Sequence, residues 1–215
     1  MKILILGDIH GRRFWQEIVS NEEFDRILFI GDYFDSYTIG AEQQIENFRD
    51  IITFKEAFHN DCILLIGNHD VHYLNFWQER YSGFQHGYQY SISHLLHTHL
   101  DKLQMCYVQD DYCFSHAGIT NTWAERHDID LLNLEQSVND RWKYKPLSFM
   151  FQGKDDYGDN ITQSPIWVRP NSLKQDAVEG YIHVVGHTQV KDVIHDDNII
   201  LVDCLENKKY LTLEI

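Results

Sequence analysis

Three apolar runs near the start of the chain each break into a polar loop that opens on glycine, and this recurrence constrains the fold more than any other feature. Lys2 to Leu6 runs into Gly7-Asp8-Ile9-His10-Gly11, Arg26 to Ile30 into Gly31-Asp32-Tyr33-Phe34-Asp35, and Cys62 to Ile66 into Gly67-Asn68-His69-Asp70. A run that is apolar throughout, and not merely at alternate positions, suits a strand covered on both faces. Between the runs, Phe14, Trp15, Ile18 and Val19, and then Ile45, Phe48, Ile51, Ile52 and Phe58, recur at helical spacing. Strand and helix alternating in this way make two βαβ units, hence parallel strands with right-handed crossovers. Parallel sheets place their sites at the carboxyl ends of the strands, where these Asp, His and Asn residues fall.

The remainder of the chain is less regular. Residues 71–103 read as an insertion rich in aromatics and His (Tyr73, Phe76, Trp77, Tyr81, Phe84, Tyr88, Tyr90), ending in a helix near Ile92 to Leu103. His94, His97 and His99 on that helix lack the paired spacing and acidic base of a metalloprotease helix, so a solvated face is expected. Gln104 to Gln109 and Tyr112 to His116 flank Asp110-Asp111 as a hairpin, and a helical region follows from Thr120 to about Tyr144. A loop over 152–162, rich in Gly, Asp and Asn, is expected to act as a mobile lid. Tyr181 to Val185, Val193 to Asp203 and Tyr210 to Ile215 read as late strands, expected to be antiparallel. The expected architecture is mixed α/β, with a mixed sheet or two packed sheets flanked by helices in one domain over 1–215.

Composition narrows the function. A formal charge of −15 over 215 residues argues against a protein that binds nucleic acid by neutralising phosphates, although bound cations would make a local pocket electropositive. Cys62, Cys106, Cys113 and Cys204 lie in strand-like runs without the close spacing of a zinc or redox pair, so buried free thiols are expected. The N-terminal apolar run stops at Asp8, too short for a membrane span, and a reducing cytoplasm is the expected compartment.

Five strand-terminal loops therefore offer ligands: Asp8 and His10, Asp32 and Asp35, Asn68 and His69, His116 of His116-Ala117-Gly118, and His187 of Gly186-His187-Thr188. A mixture of carboxylate, imidazole and carboxamide suits Mn, Fe or Zn better than Ca or Cu(I). The ordered set resembles the signature of the calcineurin-like metallophosphoesterases, and within them the phosphoprotein-phosphatase branch, which includes the symmetrical diadenosine tetraphosphatases.

That resemblance implies a sandwich of two mixed sheets with helices outside and two divalent transition-metal ions, manganese favoured and iron or zinc as alternatives. By motif, Asp8, His10 and Asp32 would bind one ion, and Asn68, His116 and His187 the other, with Asp32 shared. His69 would be the general acid, oriented by Asp35, in hydrolysis of a phosphorylated protein or small molecule by a hydroxide generated between the ions. Asp35 as a mere cap of the following helix is the competing reading. The branch commonly has Arg where this chain has Ser36, which removes a bidentate phosphate clamp. Arg169 of Trp167-Val168-Arg169 resembles the second phosphate-binding Arg. Asn68 also faces the phosphate, and Arg12 or Arg13 could substitute for the missing clamp. A dinucleoside polyphosphate hydrolase, with the aromatic insertion stacking a base, and a catalytically weak binding module are the alternatives to a phosphomonoesterase.

Overall fold

The computed structural model describes residues 1–74, 81–152 and 158–215. The first three strands form as β1 (Lys2–Leu6), β2 (Arg26–Phe29) and β3 (Cys62–Leu65), joined through α1 (Phe14–Asn21) and α2 (Ala41–Phe58); they pair in parallel, and the one-turn α3 (Asn68–Val71) follows β3. β4 (Leu103–Gln104) adds to β3 in parallel and β10 (Leu211–Glu214) adds to β1 antiparallel, giving a sheet in the order β10-β1-β2-β3-β4. Leu4, Leu6, Ile27, Phe29 and Leu64 on one face pack with Trp15, Ile18, Phe48 and Ile51 of the helices. Ile3, Ile5, Leu28, Ile30, Ile63 and Leu65 on the other face meet Tyr107, Phe114, Val184, Ile200 and Val202 of a second sheet. Both faces being covered explains why the runs are apolar at every position.

The second sheet contains β5 (Cys106–Gln109), β6 (Tyr112–Ser115), β7 (Ile182–Val185), β8 (Ile194–Asp196) and β9 (Ile199–Leu201), in the order β5-β6-β7-β9-β8. The two mixed sheets with helices outside them form the expected sandwich. One expectation needs correction, because the late strands are not uniformly antiparallel: β7 runs parallel to β6, and β9 parallel to β7. Only β8 against β9 and β10 against β1 are antiparallel among them. A parallel pair needs a long crossover. The link from β6 to β7 is one, carrying α5 (Asn121–Arg126), α6 (Leu134–Tyr144) and α7 (Pro170–Asp176). Helix α7 lies outside the helical region expected from the sequence, although Pro170 at its first position is a signal for it.

The insertion is also more finely divided than expected. Its helix, α4 (Gln89–Thr98), stops short of Leu103 because Leu103 and Gln104 pair with β3. His94 and His97 lie on its exposed side, and Tyr73 and Phe84 are core residues. Phe76 and Trp77, and residues 153–157 of the expected lid, lie outside the described residues. All four cysteines are buried free thiols. No helix among the described residues is long and apolar enough to cross a membrane.

The chain changes sheets at Met105, and a side chain of α6 secures the joint. Asn139 Oδ1 accepts from Met105 N (2.9 Å) and Cys106 N (3.2 Å), and its Nδ2 donates to Cys106 O (2.8 Å). Glu135 takes the Val108 amide at 2.8 Å, so α6 covers polar groups on the outer edge of β5 that would otherwise invite pairing. Asn139→Ala removes the acceptor of the Met105 and Cys106 amides, while Cys106 O keeps the Gln104 side chain at 3.0 Å, and should cost about 1–3 kcal/mol, measured as a lower urea midpoint at unchanged m-value; an unchanged midpoint would show that the joint holds without it.

Candidate metal centre and active site

Loops from both sheets deliver Asp8, His10, Arg12, Asp32, Asp35, Ser36, Asn68, His69, Arg169 and His187 to one cleft of about 590 Å³. His116 lies fully buried against it, with Nε2 3.0 Å from Asn68 Oδ1 and 3.4 Å from Asp32 Oδ2. Every candidate site residue read from the sequence, Arg13 excepted, is therefore brought to one place.

Three imidazoles share one construction. A carbonyl oxygen only accepts, so each ring nitrogen facing one must carry the proton. His10 Nδ1 donates to Phe34 O (2.5 Å), His116 Nδ1 to Ile30 O (2.9 Å) and His187 Nε2 to Trp167 O (3.1 Å). Their other nitrogens turn inward, His10 Nε2 standing 3.9 Å from Asp32 Oδ2 and His187 Nδ1 3.1 Å from Asn68 Oδ1. Metal-binding histidines are characteristically tied through their second nitrogen in this manner. Ligand atoms of Asp8, Asp32 and His116 also lie within 4.8 Å of one another, all three buried. Carboxylate, imidazole and carboxamide donors held this closely fit divalent transition-metal ions.

The electrostatics describe a site awaiting positive charge. Burial raises the Asp8 carboxyl well above its ordinary range, and the charges of Asp203 and Asp32 add to it. Burial also opposes the charged form of Asp32, but His116 and His69 outweigh it and hold that carboxyl well below its usual value. Burial opposes the His116 imidazolium, yet Asp32 and Asp8 raise it to about 10. A ligand role for His116 requires the imidazolium proton to leave. Burial keeps His10 low, and burial with the Arg169 charge keeps His187 lower still. Both are then in the neutral form that ligation needs.

Beside this cluster, His69 Nδ1 donates to Asp35 Oδ2 at 2.8 Å. Burial opposes the His69 imidazolium, but Asp32 and Asp35 outweigh it and its pKa is raised. Asp35 caps no helix, since α2 begins after Gly40. His72 Nε2 is 2.6 Å from the same Asp35 oxygen, so Asp35, His69 and His72 also lie close enough to suggest a cation. The tautomer argues otherwise. His72 Nδ1 accepts the Tyr81 amide N–H (3.2 Å), which leaves the neutral ring's proton on Nε2, facing Asp35.

The expected phosphate contacts differ among themselves. Arg169 Nη1 is anchored to His187 O (2.9 Å) and Thr188 Oγ1 (3.1 Å) at the cleft wall. Arg12 also borders the cleft, with Nη2 3.2 Å from Glu206. Arg13 turns away to Glu46 and Asp50 on α2, as an exposed surface Arg does. Ser36 Oγ accepts from Thr38 N and Ile39 N (3.3 and 3.1 Å), so the residue standing where an Arg is common organises a turn instead.

Asp70 closes the third motif, and its position in the sequence implies no role for it. Its carboxylate accepts Tyr33 N (2.8 Å) and Gly67 N (3.0 Å), clamping the second loop to the third. Burial, with the Asp32 charge adding to it, raises its pKa to about 8.

Comparison with known proteins identifies the family. The calcineurin-like phosphoesterase family matches residues 1–202, and the chain belongs to that family of metal-dependent phosphoesterases. A protein of Encephalitozoon cuniculi (strain GB-M1) named "Probable serine/threonine-protein phosphatase" is 32% identical over 77 residues, covering 34% of this chain and 16% of its own length. The fold is similar to that of a serine/threonine phosphatase from Saccharomyces cerevisiae with similarity to human phosphatase PP5. The TM-score is 0.58 at 15% identity, over 94% of this chain and 66% of the yeast chain. This chain thus spans less than two thirds of either protein.

Glycine is needed in the third loop because a Cβ at Gly67 would lie 2.1 Å from Asp32 Oδ1. Gly67→Ala should therefore displace the Asp32 carboxylate, costing about 1–3 kcal/mol of stability and, if Asp32 holds a metal ion, lowering bound divalent metal by half or more. Thermal melting with metal analysis of the dialysed protein measures both, and full metal occupancy would mean that Asp32 is not a ligand.

Proposed function

We propose that the protein is a phosphatase that hydrolyses phosphomonoesters on a phosphoprotein or a small molecule with two divalent transition-metal ions, manganese foremost. Asp8, His10 and Asp32 would hold one ion, and Asn68, His116 and His187 the other, with Asp32 common to both. The observation that carries this reading is the convergence of three carbonyl-anchored imidazoles on Asp32 and Asn68. Two such ions, when bound, supply charge to the phosphoryl oxygens and acidify water at neutral pH.

The chain's own residues do the rest. Arg169 and Arg12 flank the cleft as the candidate phosphate contacts with Asn68, and Glu206 partly offsets the charge of Arg12. His69, its Nδ1 proton committed to Asp35, would use Nε2 to protonate the departing oxygen. Asp35 is suited to orienting it, because burial raises the Asp35 carboxyl but the bonds from His69 and His72 outweigh this and keep it ionised. The serine/threonine phosphatase names of the two relatives support a phosphorylated substrate.

A dinucleoside polyphosphate is the second reading, favoured by Tyr81, Phe151 and Trp167 along one wall of the cleft. Their rings are already engaged edge-to-face, Tyr81 and Phe151 with Trp167 at 4.6 and 4.9 Å, which favours a packed wall over a base-stacking slot.

The test is turnover of a phosphopeptide, p-nitrophenyl phosphate and diadenosine tetraphosphate by manganese-loaded protein. We expect hydrolysis of the two monoesters, abolished by EDTA and restored by manganese; activity that survives complete chelation would overturn the metal assignment. His69→Ala should slow phenyl phosphate roughly 10²–10⁴-fold and p-nitrophenyl phosphate much less, because only the more basic leaving oxygen needs a proton. An equal loss on both substrates would remove His69 from the acid role.

A further inference from the structure

Asp35 is held from behind by two side chains that the proposed chemistry does not use. Its Oδ2 faces both His69 Nδ1 (2.8 Å) and His72 Nε2 (2.6 Å), and its Oδ1 accepts the Tyr73 hydroxyl (2.5 Å). His72 and Tyr73 are in turn fixed by one backbone stretch: Tyr81 N donates to His72 Nδ1 (3.2 Å), and Gln85 N donates to the Tyr73 oxygen (2.7 Å). The rings lie flat on the same stretch, His72 on Tyr81 with an interplanar angle of 15° and Tyr73 on Phe84 with one of 14°. Between those contacts Gly83 packs so close that a Cβ there would meet Asp35 O at 2.7 Å. Because the Tyr81 and Gln85 amides occupy acceptor sites of His72 and Tyr73, the Tyr73 proton is directed at Asp35 Oδ1, and the His72 proton is left on Nε2, which stands 2.6 Å from Asp35 Oδ2 as a close polar contact and not as a well-aligned hydrogen bond. His72 is fully buried and Tyr73 nearly so, so water does not readily replace either donor.

We infer that His72 and Tyr73 are positioning residues of the proton donor. They pin the Asp35 carboxylate in the one orientation that directs His69 Nε2 at the leaving oxygen, and residues 81–85 form the frame that fixes them. Without these two donors the carboxylate is free to rotate away from His69. The inference rests on the proposed role of His69 as general acid. Neither residue lines the cleft or belongs to the proposed metal-ligand set.

The experiment compares phenyl phosphate with p-nitrophenyl phosphate for His72→Ala, His72→Gln and Tyr73→Phe, each alone and combined with His69→Ala, in the metal-loaded protein. His72→Ala should lower kcat for phenyl phosphate about 10–100-fold, the usual scale for an outer partner of a working side chain, and for p-nitrophenyl phosphate about threefold or less. Metal content should be unchanged. His72→Gln, which keeps an N–H at the reach of Nε2, should recover most of the loss. Tyr73→Phe keeps the ring on Phe84 and should repeat the leaving-group pattern more weakly, so the inference stays testable even if His72→Ala folds poorly. In the His69→Ala background neither change should slow the reaction further. Equal losses on both substrates, or losses that add fully to that of His69→Ala, would overturn the positioning role. If His69→Ala alone shows no leaving-group dependence, the general-acid assignment fails first and this inference with it.

Discussion

The structure turns on the burial of one ionised carboxylate. Asp32 is 2% exposed, and its charge is kept by neighbouring imidazoles against a desolvation that favours the neutral form. Its side chain accepts the His69 amide at 2.9 Å, and its backbone carbonyl accepts Ile9 N and His10 N at 3.1 and 2.7 Å. One residue thereby ties the loops after β1, β2 and β3 into a single body. With Asp8 also buried nearby, the same proximity concentrates negative charge that only protons or cations relieve. The affinity for metal and the rigidity of the loops therefore have a common origin.

That arrangement carries backbone strain. His10, Asp32, Asp35 and His187 all have positive φ, at 42°, 50°, 69° and 62°, a region that costs a non-glycine residue about 1–3 kcal/mol. The left-handed turns swing these side chains inward directly after their strands. Asp70 bonds the Tyr33 and Gly67 amides, and His187 N bonds both oxygens of Asp8 at 3.1 and 3.2 Å. Clamps of this kind hold the strained loops to one another and so fix the relative positions of the candidate metal ligands.

Much of this could be read in the sequence because it is local. An apolar run followed by Gly-Asp or Gly-Asn identifies a doubly covered strand and its candidate ligand in one stroke, as at β1, β2 and β3, and Gly186-His187 marks the end of β7 in the same way. What escaped depends on partners far along the chain. The direction of β7 and β9 follows from the crossover through α5, α6 and α7, and the switch of sheets at Met105 follows from Asn139. Glu206 meets Arg12 from 194 positions away, and no local pattern signals the pair. Ser36 was legible as a missing guanidinium, but the turn its hydroxyl organises appears only when Thr38 and Ile39 fold back on it. His72 and Tyr73 sit directly after the third motif, and nothing in the linear order shows that both aim at Asp35.

The central claim is that Asp32 is shared by two cations. The most direct measurement is anomalous diffraction at the manganese edge from crystals of the metal-loaded protein. The account predicts two peaks flanking the Asp32 carboxylate, one also ligated by Asp8 and His10 and the other by Asn68, His116 and His187. A single peak, or two peaks of which only one touches Asp32, would contradict it.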